Sequence, residues 1–144
     1  MLDEKEFERW FLSAKKTLES SKKDLKMKEY SWACFKAHQA VEKGLKALLW
    51  GLGKPKVGHI LPKLLEYIRE IGIEISEEAM SYVIRLNKLY IPTRYPDAWP
   101  EGIPEEFYTR EEAEEAIHMA ETVLDEVDKI WRRLLEKGYE KERK

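Results

Sequence analysis

Apolar residues recur along this chain at intervals of three, four and seven, and nowhere do they alternate with polar ones for the length of a strand. The first run predicts a helix from about Glu4 to Lys26, with Asp3 as N-cap and Phe7, Trp10, Phe11, Ala14, Leu18 and Leu25 on one face. Lys22, Lys23, Lys26 and Lys28 gather near its end, where cations suit the helix dipole. A second helix, about Glu29 to Trp50, carries the stripe Tyr30, Ala33, Cys34, Ala37, Val41, Leu45, Leu48 and Leu49. Beside that stripe runs a seam of small residues, Ala37, Ala40, Gly44 and Ala47. A glycine inside a helix costs about 1 kcal/mol relative to alanine. Close approach of a neighbouring helix offsets that cost, which makes this the expected central helix. Gly51, Gly53 and Pro55 end it.

A third, short helix is expected from about Ile60 to Ile71, with Leu61, Leu64, Leu65 and Ile68 inward and Pro62 in its first turn. Ser76 then caps a fourth, to about Tyr90, that buries Ala79, Val83 and Leu86. Thr109-Arg-Glu-Glu112 is a capping box, and it opens a last helix running to about residue 137 through Ala113, Ala116, Ile117, Ala120, Leu124, Val127, Trp131 and Leu134. Residues 109–137 would span about 43 Å at helical rise, enough to match the first helix with some overhang. The expected fold is all-α: an antiparallel bundle of about five helices joined by short connections, forming one domain over residues 1–144.

One stretch breaks the pattern. Four of the six prolines, Pro92, Pro96, Pro100 and Pro104, fall in a loop at 91–108 and its edge, interleaved with Tyr90, Tyr95 and Trp99 around a single Arg94. Such a loop can be a stiff connection whose aromatics plug the end of the bundle. It can equally be a rim that holds an arginine beside tyrosines, an arrangement that suits phosphates and stacked bases.

Composition then excludes several classes. The net charge is −2, so no global field draws the chain to nucleic acid or to a membrane surface. The charge is uneven: residues 1–72 hold 15 Lys/Arg against 10 Asp/Glu, and residues 73–144 hold 11 against 18. Cys34 is the only cysteine and lies in an apolar stripe, which excludes a disulfide framework or a cysteine zinc site and suggests inert packing. The first twenty residues contain no long apolar run, so neither a signal peptide nor a membrane span is expected and a cytoplasmic address follows. High Lys/Glu content with one Asn (Asn87) and one Gln (Gln39) is a thermophile habit.

Chemistry-bearing spacings are few. Glu115-Ala-Ile-His118 has the Glu-x-x-His spacing of a carboxylate metal centre, but no second pair accompanies it, so no metal or cofactor is expected. The glycines are dispersed at helix ends rather than gathered into a phosphate loop, and no basic recognition helix is visible. What remains is the polar side of the second helix, where His38 and Glu42 stand one turn apart and can hydrogen-bond, with Gln39, Lys43 and Lys46 beside them, and the proline loop.

Three pieces of the chain, Tyr30 to Leu49, Gly58-His59-Ile60-Leu61 and Tyr90-Ile-Pro-Thr-Arg-Tyr-Pro-Asp97, together resemble the HEPN family (higher eukaryotes and prokaryotes nucleotide-binding domain) in its small prokaryotic stand-alone form. The resemblance implies a dimerising helical bundle, a homodimer here. It also implies a partner, a minimal nucleotidyltransferase-like protein encoded beside it as the other half of a toxin–antitoxin pair. Many members are metal-independent endoribonucleases that use an Arg followed, after four to six residues, by a His. That pairing supplies a proton-transfer group and a cation for the phosphate charge. This chain departs from the motif. None of Arg85, Arg94 or Arg110 is followed by His at that spacing, and Arg85 reaches Tyr90 instead. A phenol, which ionises near pH 10, is a poor base at neutral pH. The expectation is therefore a nucleotide- or RNA-binding protein whose site is drawn from Tyr90, Thr93, Arg94, Tyr95, Asp97, His38, Glu42, Lys43 and Lys46, with no catalytic residue assigned. A divergent endoribonuclease toxin and a ligand-free interaction bundle are the alternatives.

Overall fold

Asp3 opens the first helix (α1, Glu4–Lys26) by accepting the Glu6 amide at 3.1 Å. Lys28, at φ +63°, turns the chain back into α2 (Tyr30–Gly51). Then come α3 (Leu61–Glu70), α4 (Glu77–Asn87), single 3-10 turns at Pro96–Ala98 and Pro104–Glu106, and α5 (Arg110–Arg143). These assignments come from a computed structural model that describes the backbone of residues 1–143 and side chains through residue 138. No strand occurs among the described residues, and none of their helices is long and apolar enough to cross a membrane. The all-α bundle is as the periodicity predicts.

α2 is the central helix. It packs against α1, α3, α4 and α5, and 15 of its 22 residues are buried. The small-residue seam explains how it carries so many neighbours. Gly44 faces the Leu124 side chain of α5, and a Cβ on Gly51 would meet the Trp131 ring at 2.5 Å. That ring lies flat on Phe7, centroids 4.3 Å apart, so α1, α2 and α5 converge there. Polar ties set the register of the outer helices. The Ser21 hydroxyl donates to the Ala33 carbonyl at 2.6 Å, joining α1 to α2. Ser76 caps α4 through the Ala79 amide while its own amide donates to Glu126 of α5. Thr109 and Glu112 form the reciprocal capping box at the start of α5.

Two boundaries differ from the sequence reading by more than one residue. α4 stops at Asn87 instead of continuing to Tyr90. Its last turn tightens, with the Leu89 amide donating to the Leu86 carbonyl, and the Thr93 hydroxyl takes the Leu89 carbonyl. Pro92 then disfavours helix for the residue before it. Tyr90 is thereby released from the helix and turned toward α2. At the other end α5 runs past residue 137 to Arg143.

The two buried glycines give contrasting expectations. Gly51→Ala places a methyl against the flat face of a core indole and should destabilise the fold by about 1–3 kcal/mol. Gly44→Ala meets the end of a leucine side chain and gains helix propensity, so it should cost less. Chemical denaturation of both variants measures the difference, and equal costs would refute the packing account.

Candidate functional site

Residues 35, 38, 42 and 46 share one face of α2, because steps of three and four return to the same side of a helix. That face is covered by two connectors, residues 52–60 between α2 and α3 and residues 88–95 after α4. Phe35 and Tyr90 lie with centroids 6.3 Å apart, and Tyr90 also sits 5.2 Å from the His38 ring. His59 stacks on Tyr90 at 5.0 Å with the planes 16° apart. A ladder of rings therefore runs from Phe35 across Tyr90 to His59, with His38 underneath.

Arg94 closes one end of the ladder. Its guanidinium carbon lies 4.0 Å from the Phe35 centroid and 4.8 Å from those of Tyr90 and Tyr95, close enough for cation–π attraction to each. Nε and Nη2 both donate to the Tyr90 carbonyl, at 3.1 and 2.9 Å. Of the five guanidinium N–H groups, three remain for another acceptor.

Glu42 organises the other end. It is almost fully buried and accepts from Lys46 Nζ at 2.9 Å, while its two oxygens lie 3.0 and 3.1 Å from His59 Nδ1. A carboxylate only accepts, so Nδ1 carries the proton and Nε2 is the nitrogen left for other partners. His59 is more than half exposed and Lys46 is nearly buried over Trp10. The arrangement offers an oriented imidazole, a caged guanidinium and aromatic faces between them. It can hold an anion and stack a planar ring, and His59 Nε2 can accept a proton from a bound group.

His38 is different. It is fully buried, and among the described residues neither ring nitrogen meets a partner in hydrogen-bond geometry. The pair it was expected to form with Glu42 is absent, because Glu42 is taken by His59 and Lys46. Burial pushes the His38 imidazole down to about 4, against the pull of Glu42 and the nearby His59 backbone toward the charged form. It is a neutral ring at physiological pH.

The other sequence candidates separate. Thr93 is buried and its hydroxyl serves the Leu89 carbonyl, an internal role in the loop. Asp97 lies exposed on the 3-10 turn, and Tyr95 is half exposed over Arg94. Lys43 points the other way, to Thr17 of α1 at 2.9 Å, because successive helical positions are about 100° apart. Phe35 and His59 belong to the cluster and were not among the candidates. The Gly58-His59 pair is the available signal for His59, and the three-residue step to His38 is the signal for Phe35. Trp99 anchors the loop from below, donating to the Pro92 carbonyl at 2.7 Å and stacking on Phe107 at 4.6 Å. Glu115 pairs with Arg85 and His118 packs edge-on against Tyr82, so that Glu-x-x-His pair is an exposed surface. Cys34 is buried and its thiol is pushed up to about 12, mainly by that burial, as inert packing requires.

A central helix covered by two connectors that meet in a cationic, aromatic cluster defines the class: a helical bundle with a composite site on one face. The HEPN domain family matches residues 7–131, and the chain belongs to that family. It is similar to the crystal structure of TT1696 from Thermus thermophilus, with 38% identity, a TM-score of 0.83, and coverage of 86% of this chain and 97% of that one. It is also similar to ST0689, an archaeal HEPN homologue, at 34% identity and TM-score 0.72, covering 86% and 97%. A HEPN domain protein from Thermotoga maritima matches at 34% identity and TM-score 0.71, covering 87% and 98%. No curated protein matches the chain.

The His38 environment has a thermodynamic consequence. The unfolded chain binds a proton at an ordinary histidine near pH 6.5 and the folded chain does not until about 4, so acid favours unfolding. The contribution is intact above about pH 6.5 and is lost as the pH falls toward 4. Between pH 7 and 4 the wild type should lose about 3 kcal/mol more stability than His38→Gln. Parallel stability curves for the two proteins would show that His38 does not titrate this way.

Proposed function

We propose that the ladder built on Phe35, Tyr90 and His59 is a binding site for RNA or a nucleotide, with Arg94 taking phosphate, His59 Nε2 accepting from a ligand hydroxyl or amine, and Tyr90 and Tyr95 offering faces for bases. The observation that carries this reading is Arg94, held by three rings and one carbonyl with three donors still free. Glu42 and Lys46 support the site from beneath by orienting His59. His38 lies below the ladder and is buried from any ligand, and Thr93 holds the loop. Lys43 and Asp97 stand outside the cluster.

Charge-assisted hydrogen bonds of this kind contribute about 1.5–3 kcal/mol. Arg94→Ala should therefore weaken binding of a single-stranded RNA oligonucleotide by about tenfold or more, read by fluorescence anisotropy. The guanidinium also ties the loop to Tyr90, so the melting temperature is measured alongside. A variant that only melts earlier, from a wild type that binds neither RNA nor nucleotides, would leave Arg94 as a structural tie and the loop as a plug.

A second reading, a metal-independent endoribonuclease with a divergent site, is favoured by the Glu42–His59 pair. An imidazole oriented through Nδ1, on a side chain more than half exposed, leaves Nε2 for proton transfer, to which Tyr90 at the family motif's histidine position is not suited. Cleavage of RNA in the presence of a chelator, abolished in His59→Ala, would establish it over binding alone.

The partners we propose are a second copy of this chain and a minimal nucleotidyltransferase-like protein encoded beside it, as halves of a toxin–antitoxin pair. Exposed apolar side chains support an interface at the site. Val57 is 93% exposed, Ile60 62% and Ile91 52%, and they lie within two residues of His59 or Tyr90 along the chain. A homodimer should scatter light at about twice 17.1 kDa, and a constant single-chain mass over a wide concentration range would reject it.

A further inference from the structure

His59 and Tyr90 reach the ladder on separate connectors, and the first of these is held within residues 53–60 mainly by the His59 contacts with Glu42 and Tyr90 and by Lys56 over the Tyr67 ring. From Gly53 to Ile60 the chain is exposed, and Gly58 adopts φ +115° with nothing near the position of a Cβ. The helix that follows is opened by Ile60, which has no side chain able to cap it. Its first amide, at Leu61, is satisfied from elsewhere: it donates to Oδ1 of Asn87 at 3.0 Å. Asn87 is the last residue of α4, immediately before the connector that carries Tyr90 and Arg94. A cap that normally comes from the preceding residue is here supplied by the end of another helix.

We infer that Asn87 is a positioning residue for the site: its side-chain amide registers the His59 connector against the Tyr90 connector. The geometry leaves few alternatives. Leu61 is fully buried and fixed on α3, and His59 lies two residues before it. Fixing the Leu61 amide to the end of α4 therefore fixes how far His59 stands from Tyr90. The Glu42 contact and the ring stack then select its orientation. The acceptor is what matters, since only Oδ1 is used.

The functional consequence rests on the binding reading above, but the positioning does not. The test is nuclear magnetic resonance of the His59 ring in the free, full-length protein, where the stack on Tyr90 shifts the ring protons and the Glu42 contact marks Nδ1. In Asn87→Ala those signals should move toward the values of an unstructured peptide, while the signals of His118, which packs against Tyr82 outside the ladder, stay in place. Asn87→Asp keeps an acceptor at the same reach and should restore the wild-type His59 signals. His59 signals unmoved in Asn87→Ala, or moved equally in Asn87→Asp, would overturn the inference. If Asn87→Ala does not fold, Asn87→Gln, which misplaces the acceptor by one methylene, is held to the same criterion. Affinity for the RNA oligonucleotide should fall about tenfold in Asn87→Ala and recover in Asn87→Asp. A wild type that does not bind RNA would defeat the binding reading and leave the resonance result to decide the role of Asn87.

Discussion

α2 is enclosed on every side, and that enclosure dictates the rest of the site. A surface helix sends its polar residues to water. Glu42 and Lys46, each 7% exposed, cannot do so, and a buried charge without a partner is strongly destabilising. They pair with one another and then draw in His59 from a connector. The packing of apolar stripes makes the bundle, but the polar strip on its central helix decides where the connectors lie. In place of a loose loop between α2 and α3, an imidazole is bound to a carboxylate and stacked on a tyrosine.

The proline loop answers the same constraint from the other side. Arg94 is a permanent charge placed against rings and a carbonyl that has just left a helix C-terminus, a position where a cation is favourable. Prolines narrow the conformations the unfolded loop can sample, so less entropy is lost on ordering it. Trp99, bonded to the Pro92 carbonyl and stacked on Phe107, gives the loop a floor. The plug and the rim are thus not exclusive. The lower part of the loop packs, and the upper part presents Arg94 and Tyr95.

Helices were legible in the sequence where capping and periodicity agreed. α1 runs from Glu4 to Lys26 as the pattern indicates, and α2 differs by one residue at each end. The end of α4 was not legible, because apolar residues continue through Leu89 and Tyr90 while the stop depends on a threonine bonding back to a carbonyl. Within the site, His38, Glu42 and Lys46 were readable as one face from spacing alone. Adjacency in sequence suggests Lys43 as a neighbour of these residues, but helical rotation turns it to α1. Phe35 shares that spacing but reads as an ordinary apolar residue, and the place of His59 is not legible from spacing at all, because ring contacts between separate connectors depend on their paths through space. A heptad count carries no information about those paths.

The arrangement of Arg94 also bears on how a ligand would be received. A free arginine side chain loses about 2 kcal/mol of rotamer entropy when it is fixed, and that loss lowers the affinity of any phosphate it grips. Here the tie to Tyr90 and the three rings already fix it through contacts within the protein itself. Because the tie uses Nε and one Nη2 proton, a phosphate can be taken on the remaining edge without breaking it. The contacts that stabilise the loop are therefore compatible with binding rather than in competition with it. A structural tie and a preorganised donor are in this case the same side chain.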